Sequence, residues 1–221
     1  MTDFYGTLDC TSKLKNDAIV FGKVVNNLTK ERVQYNGMLL LASYVQRLHV
    51  YYATLTHTEN KQYPQLEKTK DAFESLNAIL PMFEETRQLT QTQYDKLVEV
   101  ATDVTRWMDS YFQVLHKDSF SYRVAIVAST LFSEQLMNNG VIRLGKLFNE
   151  QISPDFERRV KFYEDRTKMI QIVVLSLKDG KEIEQPIIQI VEDLFAAISK
   201  QENVILDDIQ KIIPMLSGKM L

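Results

Sequence analysis

Apolar residues recur at alternating steps of three and four along most of this chain, the period of one face of an α-helix. The strongest stretch is Met38 to Leu55. Met38, Leu41, Val45, Leu48, Tyr52 and Leu55 form one row there, and Leu40, Tyr44 and Tyr51 form a second beside it. Two such rows cover more than half of the circumference, so the helix needs neighbours on several sides. The pattern predicts a central apolar helix over about 38–57. Arg47 and His49 interrupt the run before it reaches the ~20 apolar residues a bilayer requires, which argues against a membrane span.

The other stripes look like cover for this helix. Leu14, Ala18, Phe21, Val25 and Leu28 make the first, with Tyr35 seven residues on. Glu31 and Gln34 occupy the positions that would carry the central rows backwards. The first helix is therefore predicted to end near Tyr35, with Asn36-Gly37 as the turn, the alternative being that Gly37 sits inside a longer second helix. Pro64 suits the start of a helix carrying Leu66, Phe73, Leu76, Leu80 and Phe83, kinked or restarted at Pro81. Thr90 and Gln93 have capping-box spacing and open a stripe of Tyr94, Leu97, Ala101, Val104, Met108, Tyr111 and Leu115. Trp107 widens that stripe, next to Val100 and Val114, and it is expected to pack on the central helix. Phe120 to Met137 is apolar nearly all round, and Asn138-Asn139-Gly140 is predicted to end it before a short piece with Val141, Leu144 and Phe148.

Ser153-Pro154 reads as an N-cap followed by proline at the first helical position. Phe156, Val160, Tyr163, Thr167, Ile170, Val174 and Leu177 follow, and Gly180 stands where a C-terminal glycine belongs. Pro186 begins a helix with Ile187, Val191, Leu194 and Ile198 on one side. Ile205, Ile209, Ile212 and Leu216 mark the last, disturbed by Pro214. The fold is thus an all-α, irregular bundle of seven to nine helices. Residues 1–181 form its main part. Residues 182–221 either close the same core or make a small docking subdomain, a single domain being the simpler arrangement.

Composition adds limits. The 221 residues are 45% apolar and 25% charged, ordinary for a soluble globular chain, and the seven glycines and five prolines are few for a β-sandwich or barrel. A formal net charge of −3 gives no overall attraction to nucleic acid. Cys10 is the only cysteine, which excludes an internal disulfide and a cysteine-built metal site. The first residues have neither a basic start nor an apolar core, so we expect an intracellular, most simply cytoplasmic, protein.

Candidate chemistry dissolves on inspection. Gly140 to Lys146 matches seven positions of a phosphate-binding loop, but Leu147 stands where Ser or Thr must hold Mg²⁺, and the preceding segment is helical. The three histidines lack the Glu-x-x-His spacing of di-iron bundles and make no i, i+4 pair. His49 faces the apolar side and reads as a core histidine, while His116 suits the negative end of a helix dipole. Glu84-Glu85, Glu192-Asp193 and Asp207-Asp208 point about 100° apart on a helix, as solvated surface would. In the basic run from Glu157 to Lys168, the pairs Glu157–Lys161 and Glu164–Lys168 read as an ion-paired exposed face. No catalytic residue, metal site or cofactor is assigned.

Function then rests on architecture. An all-α bundle without a catalytic constellation is most economically a non-catalytic interaction module, an adaptor or a subunit of a larger intracellular assembly, with a protein partner or self-association. The segment from Asp179 to Asp208 carries eight acids against two lysines, a net of −6. Its isoleucine-rich helices carry apolar residues on more than one face. Ile188, Phe195, Leu206 and Ile213 are the predicted protein-binding contacts. The alternative is a carrier of a lipid or small apolar ligand in a pocket between helices, for which eleven Phe, ten Tyr and eight Met are suitable lining.

Overall fold

A computed structural model describes residues 29–113, 118–149 and 151–219, and among them every regular element is helical. Seven helices follow in order: α1 Lys30–Glu59, α2 Gln65–Thr86, α3 Gln91–Phe112, α4 Phe120–Leu147, α5 Pro154–Lys178, α6 Gln185–Ser199 and α7 Glu202–Leu216. The stripe from Leu14 to Leu28, Cys10, Val114, Leu115 and His116 lie outside the described residues. No described helix is long and apolar enough to cross a membrane.

α1 is the axis. Its N-terminus is capped by Thr29, whose hydroxyl accepts from the Arg32 amide, and its end is turned by Asn60 in the left-handed region. Between Arg32 and Leu55 nearly every side chain is buried, because α2, α3, α4, α5 and α7 all pack against it. Burial on this scale removes the apolar circumference from water at ~25 cal/mol per Å² and is the main stabilising term of the bundle.

Two predicted breaks do not occur. Asn36-Gly37 is no turn: α1 runs through it, with both residues buried. A Cβ on Gly37 would lie 2.9 Å from Met215 Cβ and 3.3 Å from the Leu216 amide nitrogen, so the glycine is there to let α7 cross in close contact. Gln34, which interrupted the stripe, is buried at the same crossing and donates from Nε2 to the Leu216 carbonyl at 2.9 Å. Asn138-Asn139-Gly140 likewise lies inside α4. A Cβ on Gly140 would come within 2.6 Å of a Leu39 methyl, so this glycine lets α4 approach α1. The real stop comes at Asn149, with a φ of 53°. Pro81 does not restart α2, and Pro214 lies within α7.

Local signals elsewhere translate directly. Thr90 and Gln93 make the reciprocal capping box of α3. Ser153 accepts from the Phe156 amide at 3.3 Å, with Pro154 opening α5. Gly180, at a φ of 66°, closes α5 while Lys181 N–H donates to the Ser176 carbonyl.

The main partner of α1 is α4, not α3. The block Val124 to Leu131 is buried on every side, so α4 offers α1 more apolar surface than the one-sided stripe of α3 can. α3 still buries Leu97, Ala101, Val104, Met108 and Tyr111, and Tyr111 meets Tyr51 of α1 edge-on at 5.1 Å. Trp107, expected on α1, is only half-buried, in a charged depression between α2 and α3. α6 packs on α4, and α7 on α1 and α3. Val191, Leu194, Ile198, Ile205, Ile209, Ile212 and Leu216 belong to the same buried cluster as the α1 rows.

Candidate interaction surface

Several of the chemistry-like residues among those described have structural partners. In Gly140–Lys146 the backbone is α-helical, so N–H groups that a phosphate loop would aim at its ligand are bonded within α4. His49 is half-buried, with Nδ1 3.2 Å from Thr69 Oγ1. That hydroxyl also lies 2.9 and 3.0 Å from the Gln65 and Leu66 carbonyls, so it ties the imidazole to the first turn of α2. Burial holds the imidazole pKa below its ordinary value. Among the described residues, no group of three or more His, Cys, Asp and Glu is placed to hold a metal.

The adjacent carboxylate pairs are not solvated surface throughout, because one member of each turns inward. Glu84 accepts from Tyr35 Oη at 2.7 Å and pairs with Arg143 at 2.6 Å, joining α1, α2 and α4. Burial and that carboxylate together push the Tyr35 phenol far above its ordinary pKa. Glu192 pairs with Arg123 at 2.6 Å, and Asp208 is buried 3.5 Å from Lys211. The pairs expected along α5 are exchanged too. Lys161 takes Asp165 at 2.8 Å, Arg158 takes Asp155, and Arg159 reaches the buried Glu134 of α4 at 3.3 Å. Arg47 is buried too, 1% exposed, donating to Ser133 Oγ at 3.1 Å and set over the Tyr44 ring.

A groove of about 320 Å³, open to solvent, lies on α1 between α2 and α4. Leu39 and Phe132 contribute apolar lining, and the carboxamides of Gln46, Asn77, Gln135 and Asn139 rim it. It is not an enclosed apolar void.

The four predicted contact residues sit on the shoulders of their helices. Ile188, Phe195 and Leu206 are half-buried, and Ile213 is exposed at 37%. Phe195 lies under the Arg123 guanidinium, 5.5 Å from its ring centre, and so helps fasten α6 to α4. Among the described residues the largest apolar exposure falls elsewhere. Ile172 and Leu175, one turn apart on α5, are 62% and 58% exposed. Their signal was in the sequence. Lys161, Asp165, Lys168, Ile172, Leu175 and Asp179 step four and three along one side of α5, opposite the stripe that fills the core. A charged first half hid the apolar second half.

The chain matches no protein-family model, no curated protein and no solved structure.

Proposed function

We propose that this protein is a non-catalytic helical interaction module, an adaptor or assembly subunit, that docks through the outer faces of its last three helices. The observation that carries this is the solvent-facing pair Ile172 and Leu175 on a bundle whose core is otherwise closed. A lone exposed leucine is ordinary, but two large aliphatic side chains side by side on one helix face form a patch. Ile213 on α7 and the half-exposed Ile188 on α6 extend apolar contact onto the next two helices. Acids between Asp179 and Asp208 would keep such faces soluble and steer a basic partner. A lone cysteine suits an intracellular, most simply cytoplasmic, setting. The carrier alternative is less well supported, since the groove on α1 is open and rimmed by carboxamides.

Affinity purification from the cells that express the protein tests the proposal. Tagged wild type is compared with Ile172→Glu/Leu175→Glu and with Ile213→Glu, all three checked for unchanged melting. A module loses a stoichiometric partner, or its self-association, in at least one variant. An interaction set identical in all three would refute it.

A further inference from the structure

We infer that the exposed face of α5 is a two-fold contact with a second copy of this chain, its helices antiparallel. This rests on reading that face as a docking surface and goes further by naming the occupant.

The seam consists of Lys168, Ile172, Leu175 and Asp179, spaced four, three and four, all exposed. Such spacing is that of alternating inner positions in a helix pair. In an antiparallel pair with its two-fold axis between Ile172 and Leu175, each residue meets the one equally far on the other side of that axis. Ile172 then faces Leu175 of the other copy, twice. Lys168 faces Asp179 of the other copy, also twice. Two apolar layers are thus closed at each end by a salt bridge, from a single patch that complements itself, as an isologous contact requires.

Charge also selects the direction. Parallel helices would set Lys168 against Lys168 and Asp179 against Asp179, which is repulsive at both ends. Beyond the seam, the antiparallel arrangement brings the acidic loop carrying Glu182 and Glu184 toward the N-terminal half of α5. Arg158 and Lys161 lie there, ion-paired with Asp155 and Asp165 of their own helix, so the loop meets a charge-balanced face and the seam itself carries the selection. Asp179 pairs with Lys181 at 2.9 Å within its own chain, with both side chains well exposed, so it is free to exchange partners. Four side chains per copy bury less than the ~1,200 Å² of a standard stable interface. The dimer is therefore weak and concentration-dependent.

Sedimentation equilibrium of the purified protein from about 10 μM to about 1 mM reads the association directly. Wild type should rise toward twice the monomer mass across that range. Lys168→Glu alone sets two carboxylates face to face at each end of the seam. Asp179→Lys alone sets two ammonium groups face to face there, so each variant should stay monomeric. An equimolar mixture of the two restores both ion pairs and should associate as wild type does, which loss of folding in either variant could not imitate. Wild type monomeric at about 1 mM, single variants that associate like wild type, or a mixture that stays monomeric would each overturn the inference. If wild type is monomeric yet an interaction is still lost from the Ile213→Glu variant in the co-purification, the module stands and only the second copy is wrong.

Discussion

Gly37→Ala sets two effects of opposite sign against each other. In an isolated helix the change is favourable by about 1 kcal/mol, because alanine orders at lower entropic cost. Here the new methyl would sit 2.9 Å from Met215 Cβ, 3.3 Å from the Leu216 nitrogen and 3.4 Å from the Met215 carbonyl carbon. Ordinary carbon contacts lie near 3.5–4.0 Å, so roughly 0.6–1 Å of separation is missing. None of the three atoms is the end of a flexible side chain, so relief requires α7 to draw back. That movement stretches the 2.9 Å bond from Gln34 to the Leu216 carbonyl and loosens the buried Met215 and Leu216. Overpacking costs about 1–3 kcal/mol, and loss of one buried hydrogen bond about 1 kcal/mol more. The net expectation is a destabilisation of about 1–3 kcal/mol, a fall of roughly 2–12 °C in Tm for a chain of this size. Urea unfolding followed by circular dichroism measures it, with the slope checked for constancy. A Gly37→Ala variant more stable than wild type would refute the close-crossing account and restore propensity as the dominant effect.

Four further outcomes follow from the same structure. Leu48, wholly buried in α1, should cost about 2–5 kcal/mol on change to alanine, and wild-type-like melting would show that α1 is not the axis. His49 has a folded-state pKa held below its ordinary 6.5 by burial, so the unfolded chain takes up the proton first as the pH falls. Its stabilising contribution is therefore present above about pH 6.5 and is lost below it, and His49→Gln should flatten the pH profile of stability there; superimposable profiles would count against this. ATP with Mg²⁺ should leave the Tm unchanged, since Gly140 to Lys146 is helix, and a saturable upward shift would revive a nucleotide site. Removing residues 182–221 should unfold or aggregate the remainder, because Val191, Leu194, Ile205 and Ile212 share the core with α1; a folded, monomeric 1–181 would mark a separable subdomain.

What the sequence makes legible is what is decided within a few residues. Thr90 with Gln93, Ser153 with Pro154, and Gly180 end or begin helices by bonding to neighbours three to five positions away, and each does so. Gly37 and Gly140 are different. A glycine that ends a helix and a glycine that admits another helix look alike along the chain, and only Met215 and Leu39 tell them apart. Gln34 misled for the same reason, its partner being Leu216. Of the inward carboxylates, Glu84 and Glu192 depend on Arg143 and Arg123 of α4, which periodicity does not place, whereas Asp208 has Lys211 one turn further along its own helix. The face at Ile172 and Leu175 is not legible as a stripe, because an apolar pair that ends a charged row belongs to no core.

The crossing of α1 by α7 also sets a schedule for synthesis. Gln34 and Leu216 are 182 positions apart, which at about 5–20 residues per second means roughly 10–40 s between the emergence of one and the other. Throughout that interval the N-terminal end of α1, buried from Arg32 to Val45 in the finished fold, lacks the cover that closes it. α2 arrives early and can shield one side, and α4 a second, but the side around Gly37 waits for the last helix to be made. A nascent chain stalled before residue 202 therefore leaves the α1 surface around Gly37 without the α7 cover it has in the finished fold. The mature fold hides that surface.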